Sequence, residues 1–528
     1  MGGERGWSKN NVLENNKIGT SATGNKLIAN NGSGITLLSA FDTQIKNNVI
    51  SGNGIEYNNL KAGITHGFKS KKTTIENNFI GTNSTGDAHL GNGVGIKINS
   101  DSAKISFNTI SANIHNGITI GEFGHVTWNS IYYNKIGTDK SGEKELGNGG
   151  HGIEVINGSD TELWKNVISG NNKSGIFIGQ SSYQNGIFSN NIGTDSTGMK
   201  PIGNKEDGIT ITNSKVNKIW NNLISANKYN GISVSDNTAG DNFLRIDISE
   251  NKIGTDKNKQ NPNNDMGNLN EGITINFAMG SINDNHIGFN KTGLLYKGID
   301  RAGINNAKEI ISNNQIYYNK ETGLKIFESY PRVINNYIHH NFFGVYIQEK
   351  ILQSGKLEFK GNDVDDNSGP NSGIHIKNAR VSIEGNSISH DAGNAITIET
   401  ASDVTVNNNN IFANQGYGLN NLVPWFPING QANWWGDASG PGGSGSGTGN
   451  AVSEGVNFSN WLTEMVSLVT SAELDTVIMP LGESDTVNMY FQNWESMLDV
   501  IEVQVTDDRA WQQSPASPGP LKTERKTM

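Results

Sequence analysis

Four short phrases in the C-terminal half of the chain carry side chains able to move protons. They are Tyr317-Tyr318, His339-His340, Asp365-Asp366 and Ser389-His390, each directly after Ile316, Ile338, Val364 or Ile388. Elsewhere the same two places hold small residues, as in Ser111-Ala112, Ser169-Gly170 and Ser225-Ala226. If these segments stack in register, Tyr318, His340, Asp366 and His390 form one column at steps of about 4.8 Å. A second column would hold Lys325, Tyr346, His375 and Thr397, followed by Phe327, Gln348, Lys377 and Glu399. Abstracting a proton beside a carboxylate needs a base, a proton donor on the other face, and a cation to neutralise the carboxylate. His340 or His390 is the candidate base, Tyr318 the donor, Asp366 the orienter, and Lys325 or Lys377 the neutraliser. Tyr346, His375, Lys377 and Glu399 complete the candidate substrate-contacting set. Against this stands a plainer reading: exposed corners of a long rod vary freely, and many columns can be searched.

Two repeated phrases must position these residues. One is Asn-x-Ile/Val, as in Asn16-Lys17-Ile18, Asn78-Phe79-Ile80, Asn166-Val167-Ile168 and Asn336-Tyr337-Ile338. The other is Gly-Ile-x-Ile, as in Gly117-Ile118-Thr119-Ile120 and Gly208-Ile209-Thr210-Ile211. Apolar residues two apart belong to strands with one buried face. From Gly95, successive Gly-Ile phrases are spaced 22, 35, 23, 33, 23 and 41 residues apart. Each long interval contains an Ile-Gly-Thr loop, at Ile136, Ile192 and Ile253. A plain rung therefore alternates with a rung carrying a loop, and such a period marks a solenoid. Strands this short, without helical periodicity, predict one coil of a parallel β-helix per rung. Ile stacks on Ile inside, and the repeated Asn occupies one corner as an amide ladder. Fifteen or so rungs would give a rod roughly 70 Å long.

Composition agrees. Apolar residues are only 34%, and Gly numbers 65 of 528, which suits a thin shared core rather than a globular one. A net charge of −10 argues against a nucleic-acid partner, which needs clustered basic surface. The absence of Cys rules out disulfides, thiol nucleophiles and Cys-ligated metals. No apolar run reaches the ~18 residues of a membrane-spanning helix. The N-terminus lacks an apolar leader and enters the repeat at once, so the expectation is a chain cut from a longer one, without its signal and N-terminal cap.

The rungs, on these phrases, resemble the right-handed parallel β-helix repeat family over residues 10–462. That family includes carbohydrate-binding surface proteins of bacteria, pectate-lyase-like enzymes, alginate epimerases and phage tailspikes. The resemblance implies an all-β, single-stranded right-handed parallel β-helix, secreted or on the cell surface, with polysaccharide as partner. Asn433-Trp434-Trp435-Gly436-Asp437-Ala438-Ser439-Gly440-Pro441 resembles a segment that closes such helices in exported bacterial proteins. The expected organisation is repeats over 10–432, a cap over 433–462, a partial β-sandwich over 463–508 and a disordered tail over 509–528. Alginate epimerases resemble the Tyr, His and Asp inventory above, but their Asp-Pro-His-Glu motif is absent.

Other candidates are weaker. Gly150-His151-Gly152 resembles the Gly-His-Gly of polygalacturonases, yet is also the repeat's own turn, and the accompanying aspartate pairs are missing. Asp139, Asp195 and Asp256 recur singly in the loops, about 9.6 Å apart. Calcium takes roughly six to eight converging oxygens, so a turn-stabilising role is expected instead. His339 and His340 are adjacent and point different ways, so no metal or other cofactor is expected. Trp128, Trp164 and Trp220 are unevenly spaced, which predicts packing under the loops rather than a ladder. The reading that follows is a binding scaffold for polysaccharide. Its alternative is a lyase or C5-epimerase acting on a uronate polysaccharide, and a tailspike or adhesin would share the rod.

Overall fold

The computed structural model describes residues 8–55, 61–179, 181–236, 245–261, 265–298, 309–349 and 355–466. These residues contain strands and turns and no helix. Each coil runs through three strands: a first such as Val12–Glu14, a second such as Lys17–Ile18, and a third such as Ile35–Leu37. Every strand pairs in parallel with its equivalents in the coils before and after, so three long sheets run the length of the solenoid. The second sheet has fifteen strands among the described residues. The expected β-helix is therefore the fold. The expected β-sandwich lies outside the described residues except for its first few, 463–466, and the expected disordered tail lies wholly outside them.

The core is a set of stacked columns. In the second sheet, Ile50, Ile80, Ile110, Ile136, Ile168 and their successors to Ile411 lie one above another with no exposed surface. Each such Ile contributes about 1.5–3 kcal/mol by burial, so repetition achieves what a globular core achieves by volume.

The corners are held by amides. The expected ladder runs through sixteen asparagines from Asn16 to Asn433, each Nδ2 donating to the next Oδ1 at 2.9–3.2 Å. A second ladder, not anticipated from the sequence, follows the second sheet. It passes through Asn53, Asn92, Asn113 and Asn148 to Asn341 and Asn367. One position in it is an acid, Asp391, whose Oδ1 accepts from Asn367 Nδ2 at 3.0 Å.

The loops of alternate rungs stack on one another, with Lys140 N donating to Gly86 O and Ser196 N to Gly142 O. Their aspartates cap the turns: Asp139 Oδ1 accepts from the amides of Glu143 and Lys144 and from Ser141 Oγ. Near the C-terminal end Trp435 is fully buried, and Trp434 lies against Phe412 with ring centres 5.3 Å apart. Beyond them Gly449–Val452 and Val456–Asn457 add a further strand to the third and first sheets.

One interior position breaks the aliphatic pattern. His66 replaces an aliphatic residue between Leu37 and Ile98 in the third sheet; it is fully buried, and neither ring nitrogen has a partner. Burial lowers its pKa from 6.5 to about 4, with Asp101 opposing weakly. The unfolded chain therefore binds a proton that the fold refuses, and stability falls as pH drops from 6.5 towards 4, by about 3 kcal/mol from this group. His66→Leu is expected to move the acid-unfolding midpoint to lower pH. An unchanged midpoint, read by far-UV circular dichroism, would show that the ring is hydrated.

Candidate functional site

The second-sheet residues fall into register as their spacing predicts. Tyr317, His339, Asp365 and Ser389 are aligned strand partners. Tyr318, His340, Asp366 and His390 follow them at the corner before the second ladder, all with φ between 50° and 54°. In earlier rungs this left-handed corner holds Ala112, Gly170 and Ala226, and small residues suit it best. Among the described residues no loop like those at Gly137 and Gly193 follows the second sheet in these rungs, and the four bulky side chains are exposed.

Their contacts run one rung at a time along the axis. Tyr318 stacks on Phe289 at 5.4 Å and tilts over His340 at 4.8 Å. His340 Nε2 is 3.9 Å from Asp366 Oδ2, while His390 Nδ1 turns to Asp365 Oδ1 at 3.0 Å. Behind them sit Asp363 and Tyr337, which the sequence search did not weigh, and His339, weighed there only as a metal ligand. His339 stacks between Tyr317 and Tyr337, and burial with the neighbouring His340 lowers its pKa to about 4. Asp363 is pushed up to about 8 by burial and by Asp365, Asp391 and Asp366, and neither of its oxygens has a hydrogen-bond partner. Burial, together with Asp363, Asp365 and Asp366, raises Tyr337. Among the described residues this face concentrates carboxylates, Asp363, Asp365, Asp366 and Asp391.

The second set stands on a different sheet. Lys325, Tyr346, His375 and Thr397 are aligned in the third sheet, as are Phe327, Gln348 and Lys377. Their polar ends are engaged with one another. Glu399 takes Lys377 Nζ at 2.6 Å and His375 Nε2 at 2.9 Å. Tyr346 Oη donates to Gln348 Oε1 at 2.9 Å, and Lys325 lies 3.7 Å from Glu321. Lys377 is raised and Glu399 lowered by their mutual hydrogen bond.

The tryptophans correct an expectation. Trp164 and Trp220 are not packed under the loops. They belong to an aromatic ladder on the first sheet, Tyr132, Trp164, Phe188 and Trp220, in four successive rungs. Ring centres are 4.6, 6.0 and 4.3 Å apart, with planes within 13° of parallel. Comparing tryptophans alone hid the pattern, because Tyr132 and Phe188 fill the intervening rungs. The available signal was an aromatic residue two places before each ladder Asn: Asn134, Asn166, Asn190 and Asn222.

Trp220, the last ring of this ladder, stands on one side of a groove of about 440 Å³ that spans these rungs. The floor is the column Ser130, Glu162, Gly186 and Lys218, and the opposite wall is the left-handed corner column Trp128, Asp160, Gln184 and Val216. Three rung steps make it about 14 Å long. Within the ladder the rings cover one another, Trp164 and Phe188 on both faces. Trp128, by contrast, is 66% exposed and stacks on no other ring among the described residues, so its face is available. The groove thus pairs an open indole with charged and amide hydrogen-bonding groups.

A stacked three-sheet parallel solenoid with two amide ladders defines a right-handed parallel β-helix repeat protein. Residues 271–422 match the family described as the right handed beta helix region. No curated protein matches the chain in sequence. Among solved structures it is similar to the Dettilon tailspike protein at 12% identity and a TM-score of 0.34, over 69% of this chain. It spans only 60% of that tailspike's length. It is also similar to the A-module of a mannuronan C-5 epimerase from Azotobacter vinelandii, at 11% identity and a TM-score of 0.29, covering 82% of this chain and 92% of the other. A surface adhesin of Streptococcus pneumoniae follows at 11% identity and a TM-score of 0.30, covering 72% and 84%.

Proposed function

We propose that the chain is an exported or cell-surface rod that binds polysaccharide along its length. The groove on the first sheet carries this reading. It is open along the axis, one wall offers an exposed indole, and its floor alternates charged side chains with the gap left by Gly186. An extended chain of sugar rings needs such a trough, with an aromatic face for its apolar side and donors and acceptors for its hydroxyls. Catalysis on a uronate is the less favoured reading. The second-sheet column crowds four carboxylates together, and Lys325 and Lys377, the expected neutralisers, lie on another sheet beside Glu321 and Glu399.

Affinity electrophoresis against neutral and acidic polysaccharides tests this. Wild type is expected to be retarded by at least one neutral polymer. Trp128→Ala should weaken retention about tenfold, or ~1.4 kcal/mol, and His340→Ala should leave it unchanged. Equal retention of Trp128→Ala and wild type would remove the groove from the binding surface. Unsaturated products that vanish in His340→Ala would instead establish a lyase.

A further inference from the structure

Up to Thr274, six of the nine rungs fill the outward column of the third sheet with hydroxyl residues: Thr36, Thr65, Thr119, Thr210, Ser233 and Thr274. The fold therefore asks nothing more of this position. In two N-terminal rungs it is occupied instead by Lys97 and Glu154, on either side of Thr119. Lys97 has a side chain only 2% exposed, and its Nζ contacts both oxygens of Glu122, at 3.0 and 2.7 Å. Removing ions from water costs several kcal/mol each, on the order that a well-made pair only just recovers. A buried pair where threonine suffices elsewhere calls for a reason outside the fold.

The surroundings supply one. Lys97, Glu122 and Glu154 line a pocket of about 230 Å³, closed by Asn116, His151 and Lys173. Asn116 Nδ2 donates to Glu154 Oε2 at 2.7 Å, and Thr119 Oγ1 is 3.4 Å from the same oxygen. His151 is 8% exposed, stacks on Phe177 at 4.9 Å, and its buried Nδ1 has no partner. Beside Glu122, outside the lining itself, Phe123 is 67% exposed, with Lys97 Nζ 5.9 Å from its ring centre.

We propose that this pocket is a second ligand site that receives a single neutral sugar ring, such as a chain end or branch, with the Lys97–Glu122 pair and Glu154 reading its hydroxyls. The proposal takes its ligand class from the polysaccharide-binding reading. Charge decides between neutral and acidic sugars. Two lysines face two glutamates, so the pocket carries no formal net charge, and a uronate carboxylate would add an uncompensated negative charge. Size decides between a ring and a chain, since 230 Å³ equals roughly seven or eight waters at ~30 Å³ each. A sugar hydroxyl both donates and accepts, so one ring can meet an ammonium, a carboxylate and the orphaned His151 nitrogen together. Phe123 offers its exposed face to the ring's apolar side.

Saturation-transfer NMR with neutral aldohexoses, and with the matching hexuronates, tests the pocket on the whole chain. At least one hexose is expected to bind wild type, with its hexuronate at least tenfold weaker. Glu154→Gln and Phe123→Ala should each weaken the hexose about tenfold while leaving Trp128-dependent polysaccharide retention intact. Hydrogen exchange on wild type gives a readout independent of any variant: the hexose should slow exchange in 94–98 and 115–122. Polysaccharide retention with no hexose binding would overturn the pocket and leave the groove standing. Failure of both would overturn the polysaccharide reading itself, and preferred binding of a hexuronate would overturn the charge argument.

Discussion

Asn251→Ala is expected to destabilise the rod by about 4 kcal/mol and to open the rungs on either side of it first. Asn251 has no exposed surface, and its side chain makes five hydrogen bonds. Its Nδ2 donates to Ile219 O, Ser249 O and Asn285 Oδ1 at 2.8–3.0 Å, and its Oδ1 accepts from the backbone and side-chain nitrogens of Asn222. Alanine removes the partner of each while the corner stays too tight for water. Every buried group so orphaned costs about 1–3 kcal/mol, and three or more are orphaned at once. Because a solenoid rung contacts only its neighbours, the loss is local before it is global. Hydrogen exchange should therefore show protection falling in residues 219–224 and 285–290 while Ile80 and Ile411 keep theirs. A loss below about 1 kcal/mol in urea would mean that the ladder amides are individually dispensable.

Asp391→Asn is the second large effect, and its sign is a gain. Asp391 sits in the second ladder where every neighbour is an amide: Oδ1 accepts from Asn367 N and Nδ2, and its own N donates to Asn414 Oδ1 at 3.1 Å. Its Oδ2 is buried without a partner, in the place where an amide nitrogen would donate. Asn414 shows that bond made, with Nδ2 donating to Ile388 O at 3.0 Å. Burial raises the Asp391 pKa well above the ordinary carboxylate value, and Asp365 and Asp366 push the same way. For an acid raised on folding, stability is present at low pH and is lost as pH rises from the unfolded value towards the folded one. Asparagine removes that loss and supplies the missing donor, so urea midpoints should show a gain of about 2 kcal/mol at neutral pH that shrinks on acidification. Equal midpoints for both forms at all pH values would show that the acid holds its proton and bonds as an amide does.

The architecture was open to inspection in the chain itself, because a repeated rung states its own environment repeatedly. Asn166-Val167-Ile168 specifies a corner amide, an outward side chain and an inward one, and each later copy specifies the same three. Register follows from that agreement, which is why Tyr318, His340, Asp366 and His390 align as their spacing predicts. What the linear pattern did not carry was which columns share a face. Lys325 and Lys377 follow Tyr318 and Asp366 by 7 and 11 residues in the same rungs, yet the turns at Asn319 and Asn367 send them to another sheet. The aromatic ladder was hidden differently, since stacking answers to ring shape and Trp, Tyr and Phe are interchangeable in it. Lys97 was hidden because its partner, Glu122, is a turn residue of the next rung with no place in the repeat. A local repeat thus determines how the backbone coils and which side chains point inward. Where outward side chains meet depends on corner angles, side-chain reach and the desolvation of charges, and those exist only once the coils have stacked.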